Sequence, residues 1–293
     1  RVAFTSMDDL VSEITGGKFW RADWNKITGG SAYAAGRWYD FSGLGGSPVA
    51  NAWSGTALTY TACDEATGNG TQIFGLRHGG NVSTDTKHIL NTMAVTAVAT
   101  GVPGTLLLID MQGYWPTISC NTTSAQTLSG TPSPRYANGV GLRLFPVLTA
   151  VNGATAQNFA CSYTDESGNT GNTLPVTVAM TASSVVGHIP TSGTAANNYG
   201  PFLPLANGDY GVRNVASVTM SAANTGTMAL VLARPLLTLP LTTASVAAER
   251  DLLNQLPSLP RVFDGACLTW LYFAGAATAA NTNFYGGTEF GWG

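Results

Sequence analysis

The chain has 293 residues, of which 44% are apolar and only 10% are charged, and its formal net charge is −3. Nucleic-acid-binding proteins normally carry a basic surface that neutralises phosphates, so this composition argues against a nucleic-acid partner. An ordinary soluble domain has about 25% charged residues, so we expect a neutral, hydroxyl-rich surface that neighbouring subunits partly cover.

Two helices are predicted. The first begins after the N-cap residue Ser6, carries Asp9 three residues later as a capping box does, and ends at the Gly-Gly pair 16–17. The second spans residues 244–255, where apolar residues recur at helical spacing, and Pro257 ends it.

Residues 17 to about 57 are rich in aromatic residues and glycine and show little periodicity. We predict that residues 1–57 form the first helix and an extended aromatic-rich arm, and that residues 58–293 form the main domain. The aromatic side chains anchor this arm either against the chain's own β domain or against a neighbouring subunit, because Trp and Tyr are favoured in interfaces. The candidate anchors are Trp20, Trp24, Trp38, Tyr39 and Trp53.

Most of the remaining sequence consists of short β-branched or alternating runs, such as TMAVTAVA, TLLLIDM and TLPVTVAM, separated by turn residues. The chain leaves no room for a helix between successive strands, which excludes a doubly wound α/β fold. The prediction is a mainly β protein, an antiparallel β-sandwich or jelly roll. Gly, Pro or Arg interrupts each apolar run before about 20 residues accumulate, so we expect no membrane partner.

The polar segment DESGNTGN, residues 165–172, lies between two strand-like runs. Asp, Asn and Gly supply the local hydrogen bonds and positive φ angles that a hairpin loop needs. Calcium requires six or more converging oxygens, and this segment offers two carboxylates without the spacing of an EF-hand. We therefore predict a turn rather than a metal site.

Sequence motifs for catalysis are missing, including the GxSxG elbow, the HExxH helix and the GxxxxGK[ST] phosphate loop. His78, Asp85 and His88 share one loop-rich segment, but without a spacing that would gather them around a metal. The four cysteines form no CxxC pair, so buried free thiols are expected. We predict a protein that is not an enzyme and that binds no metal or cofactor; a hydrolase with an unrecognised site is the alternative.

Six stretches between Ile109 and Gly293 follow a distinctive order: PRYANGVGLRLFPVLTA, SYTDESGNTG, GPFLPLANGDYGVRNVASVTMS, MALVLARPL, LPRVFDGACLTWLYF and FYGGTEFGWG. This order resembles virion structural proteins of tailed bacteriophages. The resemblance implies a decoration, cement or auxiliary shell protein on the capsid surface, whose partners are copies of itself and other capsid proteins. The major capsid protein is an alternative, but its usual fold includes a long spine helix that this sequence does not predict.

The same blocks contain further candidate contact residues. We expect Asp209 and Arg213 to brace their loop through an ion pair, with Tyr210 packed beneath it. Arg213, Phe290 and Trp292 complete the set of interface candidates. The functional alternative from another class is a tail-fibre or adhesin-like module that recognises carbohydrate through exposed Trp and Tyr side chains.

Overall fold

The structure is a computed structural model, and it describes residues 4–82, 84–133, 135–193, 197–253 and 259–293. Within these ranges there is one α-helix, α1 (Met7–Thr15), and there are two short 3₁₀ helices, at Ala99–Gly101 and Ala137–Gly139. Strands make up nearly all of the remaining regular structure.

The first predicted helix is confirmed. Ser6 Oγ accepts a hydrogen bond from the backbone N–H of Asp9 at 3.0 Å, and the helix ends at Gly16. Leu10 is the buried residue of α1, whereas the side chain of Val11 is 57% exposed. The capping interaction therefore sets the start of α1, and one apolar side chain holds the helix against the domain.

The second predicted helix, over residues 244–255, is wrong in its described part. Ala248–Asp251 is a strand that pairs antiparallel with residues 91–94. Ser245 has a φ of 61°, which a right-handed helix does not allow. Pairing at a sheet edge satisfies the backbone groups that a helix would have satisfied internally. Residues 254 and 255 of this prediction lie outside the described residues.

The strands form three sheets, in which every registered strand pair is antiparallel. The strands of sheet I are β1 (Phe19–Ile27), β3 (Gly45–Ser47), β5 (Lys87–Thr96), β14 (Ala248–Asp251), β15 (Arg261–Val262) and β17 (Asn283–Trp292). Their order is β14-β5-β17-β1-β3, with β15 also beside β5.

Sheets II and III contain the other strands. The strands of sheet II are β2 (Arg37–Asp40), β4 (Thr61–Ala62), β6 (Gly104–Ser119), β8 (Arg143–Leu148), β13 (Thr227–Leu241) and β16 (Leu268–Ala274). The strands of sheet III are β7 (Gln126–Thr127), β9 (Gln157–Asp165), β10 (Asn172–Thr173), β11 (Val178–Met180) and β12 (Val212–Met220). Sheet II has the order β2-β16-β6-β13-β8, with β4 beside β6, and sheet III has the order β10-β9-β12-β7, with β11 beside β9.

Sheet II is the shared layer of the fold. One hydrophobic cluster joins it to sheet I, a second joins it to sheet III, and a third contains other sheet II side chains packed against loop residues. Successive side chains of a strand point to opposite faces, so Leu106 and Leu108 of β6 enter the first cluster while Leu107 and Ile109 enter the third. The prediction of a mainly β, antiparallel protein is confirmed, whereas the three-sheet order does not confirm a jelly roll.

The segment predicted as an extended arm contributes strands to these sheets. β1 lies between β3 and β17, and its pairing with β17 runs from Phe19↔Gly291 to Ile27↔Asn283. Trp24 and Tyr39 are 3% and 1% exposed and belong to the cluster that joins sheets I and II. Burial of such large aromatic side chains inside the chain's own core is strongly favourable, and this explains why the segment packs inward in this structure.

Candidate interface

The hairpin predicted at residues 165–172 is present between β9 and β10. The carboxylate of Asp165 accepts hydrogen bonds from the backbone and side-chain nitrogens of Asn169, at 2.8 and 2.7 Å, and from the side chain of Asn172 at 3.1 Å. Desolvation raises the pKa of Asp165, but these hydrogen bonds outweigh it and bring the pKa below its usual value. The oxygens that calcium would need are engaged with N–H donors, so the segment is a turn.

A second loop packs against this hairpin. Glu166 accepts hydrogen bonds from the backbone N–H groups of Tyr210 and Gly211, both at 3.0 Å. The hydroxyl of Tyr163 donates to Asp209 Oδ2 at 2.6 Å and accepts from the backbone N–H of Ala206 at 2.8 Å. Two of the sequence blocks described above are therefore fastened together by hydrogen bonds at one end of sheet III.

The ion pair predicted between Asp209 and Arg213 is wrong. Asp209 is bonded instead to Tyr163, whose ring lies in the core, whereas Arg213 is on the exposed side of β12. Asp209 lies in the loop before β12, where its carboxylate is turned towards Tyr163 rather than towards Arg213. Tyr210, which was expected to pack beneath the loop, is 74% exposed.

The surface exposes many apolar side chains. Fourteen large hydrophobic residues of the described chain are exposed, and the six most exposed are Tyr210, Leu253, Val246, Val11, Val151 and Val49. Single exposed apolar residues are ordinary, but here they occur on a chain with only 10% charged residues. Such a surface is suited to association with other protein surfaces.

The eight interface candidates divide into two groups. Three lie in the chain's own core and are not accessible as contact residues in this structure: Trp24, Tyr39 and Phe290. Five keep at least partial exposure, and their role stays a prediction: Trp20, Trp38, Trp53, Arg213 and Trp292. The side chain of Trp20 is 44% exposed, while its indole N–H donates to the backbone carbonyl of Arg77 at 3.1 Å.

The histidines do not form a joint site with Asp85. His78 is fully buried, and its Nδ1 lies 2.8 Å from Nζ of Lys87, which can only donate. Burial, and then the charge of Lys87, lower the pKa of His78. Nδ1 of His88 lies 2.5 Å from the backbone oxygen of Leu259, and Asp85 pairs with a lysine at 3.0 Å. Over the described residues, no group of three His, Cys, Asp or Glu side chains could hold a metal ion.

A buried ion pair was not anticipated from the sequence. Arg135 makes two hydrogen bonds to the carboxylate of Asp110, one from Nε at 3.2 Å and one from Nη2 at 2.5 Å, and the backbone N–H of Cys267 donates to Asp110 at 3.0 Å. The Asp110 side chain is completely buried. The sequence does contain a signal for this ion pair. Asp110 lies within the apolar run TLLLIDM, and a charged residue that is buried with such a run requires a partner.

Comparisons of the sequence with known protein families and curated proteins identify no relative. In the part of the chain that the structure describes, no helix has the length and apolar character needed to cross a membrane.

Among solved structures, the VP2 subviral particle of infectious bursal disease virus is similar at 10% identity and a TM-score of 0.18, over 93% of this chain and 80% of that one. T=1 particles derived from the same virus give 10% identity, coverage of 93% and 77%, and a TM-score of 0.17. Its T13 viral particle gives 8% identity, coverage of 93% and 77%, and a TM-score of 0.18. TM-scores this low carry no argument about the fold or function of this chain.

Proposed function

We propose that this chain is a non-enzymatic virion structural protein that decorates or cements a bacteriophage capsid through contacts between subunits. The observation that carries the proposal is the combination of a completed β core with an outer surface of low charge and many exposed apolar side chains. Subunit interfaces bury such surfaces, and their central regions are depleted of charged residues.

The polar groups of the chain support a structural role. The carboxylates of Asp165 and Glu166 hold a hairpin and its neighbouring loop, and the buried Asp110 is paired with the partly buried Arg135. Each of these carboxylates accepts hydrogen bonds from donors of the chain, whereas a catalytic acid or base needs access to a substrate proton. These three carboxylates therefore hold the structure together, as a permanent component of a shell requires.

The aromatic residues favour a shell role over carbohydrate recognition. A carbohydrate-binding module of the kind considered above needs exposed Trp and Tyr rings, but Trp24, Tyr39, Trp115 and Trp270 are buried in the described structure. Burial in the core leaves few rings for sugar stacking. Exposed valines and leucines, which suit protein contacts, are more numerous.

The copy number of the chain in purified particles tests the proposal. Particles are analysed by quantitative mass spectrometry against the major shell protein, with a known tail protein as the internal control. We expect many copies in a fixed ratio to the shell protein. A handful of copies would place the chain in a tail or fibre, and its absence from particles would refute a virion role.

A further inference from the structure

Three of the sequence blocks described above meet at one surface cleft of 390 Å³. Tyr136 comes from the block PRYANGVG, Arg234 from MALVLARPL, and Arg261 and Phe263 from LPRVFDGA. All four side chains line the cleft, together with three apolar residues, Pro235, Leu236 and Pro260. The convergence of separate blocks on one cleft makes this region a candidate binding site.

The two arginines of the cleft are stacked on its two aromatic rings. Arg261 Cζ lies 4.2 Å from the centroid of Phe263, and Arg234 Cζ lies 5.1 Å from the centroid of Tyr136. The two rings contact each other edge to face, with centroids 4.8 Å apart. Stacking engages the faces of the guanidinium groups and leaves their N–H edges free for an anion.

Most of these N–H donors have no acceptor among the residues that the structure describes. Arg234 donates one hydrogen bond, to the backbone carbonyl of Val140 at 2.7 Å, and Arg261 makes no side-chain hydrogen bond to the described residues. A guanidinium carries five N–H donors. All sixteen Asp and Glu residues lie in the described ranges, and none of them forms an ion pair with Arg234 or Arg261.

The backbone beside the cleft is adapted to the position of Arg234. Gly141 has a φ of 74°, and a Cβ atom added to it would collide with the Arg234 guanidinium. The chain turns here through Asn138 and Gly139, both with positive φ, before β8 begins. A side chain at position 141 would displace the guanidinium from its place over the Tyr136 ring.

We propose that this cleft binds a carboxylate side chain from an acidic segment of a partner protein. Two guanidinium edges with unused donors supply charge-assisted hydrogen bonds to the carboxylate, and the aromatic and proline walls accept the methylene groups of an Asp or Glu. Nearly all carboxylates of this chain are engaged with internal donors, so the anion comes from another protein.

A protein carboxylate fits this cleft better than a nucleic-acid backbone. A nucleic acid is held by cations that follow a row of phosphates, and the chain carries a net charge of −3. Two arginines in a 390 Å³ cleft match the size and charge of one or two carboxylates instead. The binding should weaken as salt is raised, because the cleft is open to solvent.

Fluorescence anisotropy with the full chain tests the proposal. The probe is a labelled tetraglutamate peptide, tetraglutamine is the neutral control, and a labelled oligothymidylate of equal charge distinguishes a nucleic-acid site. We expect tetraglutamate to bind and tetraglutamine not to bind. Arg234→Gln and Arg261→Gln should each weaken tetraglutamate binding about tenfold, because each removes a charge-assisted hydrogen bond.

The matched control is Arg77→Gln, which removes an exposed arginine outside the cleft and should leave the affinity unchanged. Circular dichroism confirms that each variant is folded. Failure of tetraglutamate to bind, or equal affinities in all three variants, would overturn the proposal. If the oligothymidylate binds more tightly than tetraglutamate and Arg261→Gln abolishes this binding, the cleft is a nucleic-acid site and the proposal is overturned.

A second copy of this chain is the remaining rival occupant. Asp8 is exposed and is the one carboxylate for which the described residues provide no hydrogen bond or ion pair. Analytical ultracentrifugation of the wild type, Asp8→Asn and Arg261→Gln separates the cases. If the wild type self-associates and both substitutions abolish this, a second copy occupies the cleft and the assignment to a different protein is overturned. If neither substitution changes the association, the assignment to a different protein is supported.

Discussion

Two arginine sites of the molecule differ in how their charge is used. Arg135 is 17% exposed in its side chain and bonds to Asp110, which is completely buried. Arg234 and Arg261 line an open cleft, stack on aromatic rings and have no carboxylate partner in the described structure. The two sites are neighbours in the sequence, because Tyr136, which lines the cleft, directly follows Arg135.

The difference separates charges that hold the fold from charges available to a partner. A buried charge must be neutralised within the chain, because desolvation makes an unpaired charge very unfavourable. An exposed charge remains hydrated and can stay unpaired until a partner supplies the counter-charge. Substitutions should therefore affect stability at the first site and binding at the second.

The largest expected effect is at the buried ion pair. Asp110→Ala removes the acceptor of two Arg135 hydrogen bonds and of the Cys267 backbone N–H. Breaking a buried pair by removing one partner costs about 3–5 kcal/mol in unfolding free energy. Urea denaturation measures this, with Asp110→Asn as a milder control that keeps one acceptor. A loss below about 1 kcal/mol would contradict the assignment of Asp110 as a structural anchor.

A buried histidine with a lowered pKa should make the fold sensitive to acid. His188 is fully buried, and burial, followed by the charge of Arg37, lowers its pKa to about 3. Between pH 6.5 and 3 the unfolded chain binds a proton at this residue and the native chain does not, so stability falls as the pH falls.

The change with pH gives a direct measurement for His188. The wild type should lose up to about 1.4 kcal/mol of unfolding free energy per pH unit below 6.5 through this residue, and His188→Gln should lack that part of the slope. Denaturation curves of both proteins at pH 7, 6 and 5 measure the difference. Parallel pH profiles would contradict the prediction, because they would mean that His188 takes up its proton over the same pH range in the native and unfolded states.

A smaller loss of stability is expected at the hydrogen bonds of Tyr163 to the loop that carries Ala206 and Asp209. Tyr163→Phe removes the hydroxyl that donates to Asp209 and accepts from Ala206. We expect a loss of about 1–2 kcal/mol, because a backbone donor and a carboxylate lose one partner. Thermal unfolding measures the loss, and Tyr210→Phe, at a 74% exposed position, is the matched control. Equal melting temperatures for the two variants would disprove a bracing role for Tyr163.

The smallest effect on stability is expected in the cleft. Arg261→Gln should change the unfolding free energy by no more than about 1 kcal/mol, because the guanidinium is exposed, has no hydrogen bond or ion pair to the described residues, and loses only its stacking on the Phe263 ring. Urea denaturation alongside Asp110→Ala makes the comparison directly. A destabilisation of Arg261→Gln that approaches that of Asp110→Ala would erase the distinction between the two sites.

Local features of the fold could be predicted from the sequence. The helix after Ser6, the β strands and the hairpin at 165–172 depend on capping, alternation and turn residues that lie close together in the chain. The strand at Ala248–Asp251 was missed, because its apolar spacing also fits a helix and the pairing with β5 decides between them.

Long-range contacts could not be predicted. The burial of Trp24 depends on a β17 strand more than 250 residues away, and the partner of Asp209 is Tyr163 on another strand rather than the nearby Arg213. The cleft is assembled from residues 136, 234, 261 and 263, none of which carries a recognisable binding motif. Only the tertiary structure shows that these arginines stack on rings and lack carboxylates.

The pairing of distant strands also determines when the fold can form. β6 pairs with β13 over contacts such as Leu106↔Leu239, and β1 pairs with β17 from Phe19↔Gly291 onward. Closing such long loops is slow, because their entropy is lost before the contacts are gained. During synthesis, sheet I therefore cannot be completed until residue 291 has left the ribosome. β1 and β5, which are made earlier, lack their β17 partner and remain open to chaperones until then.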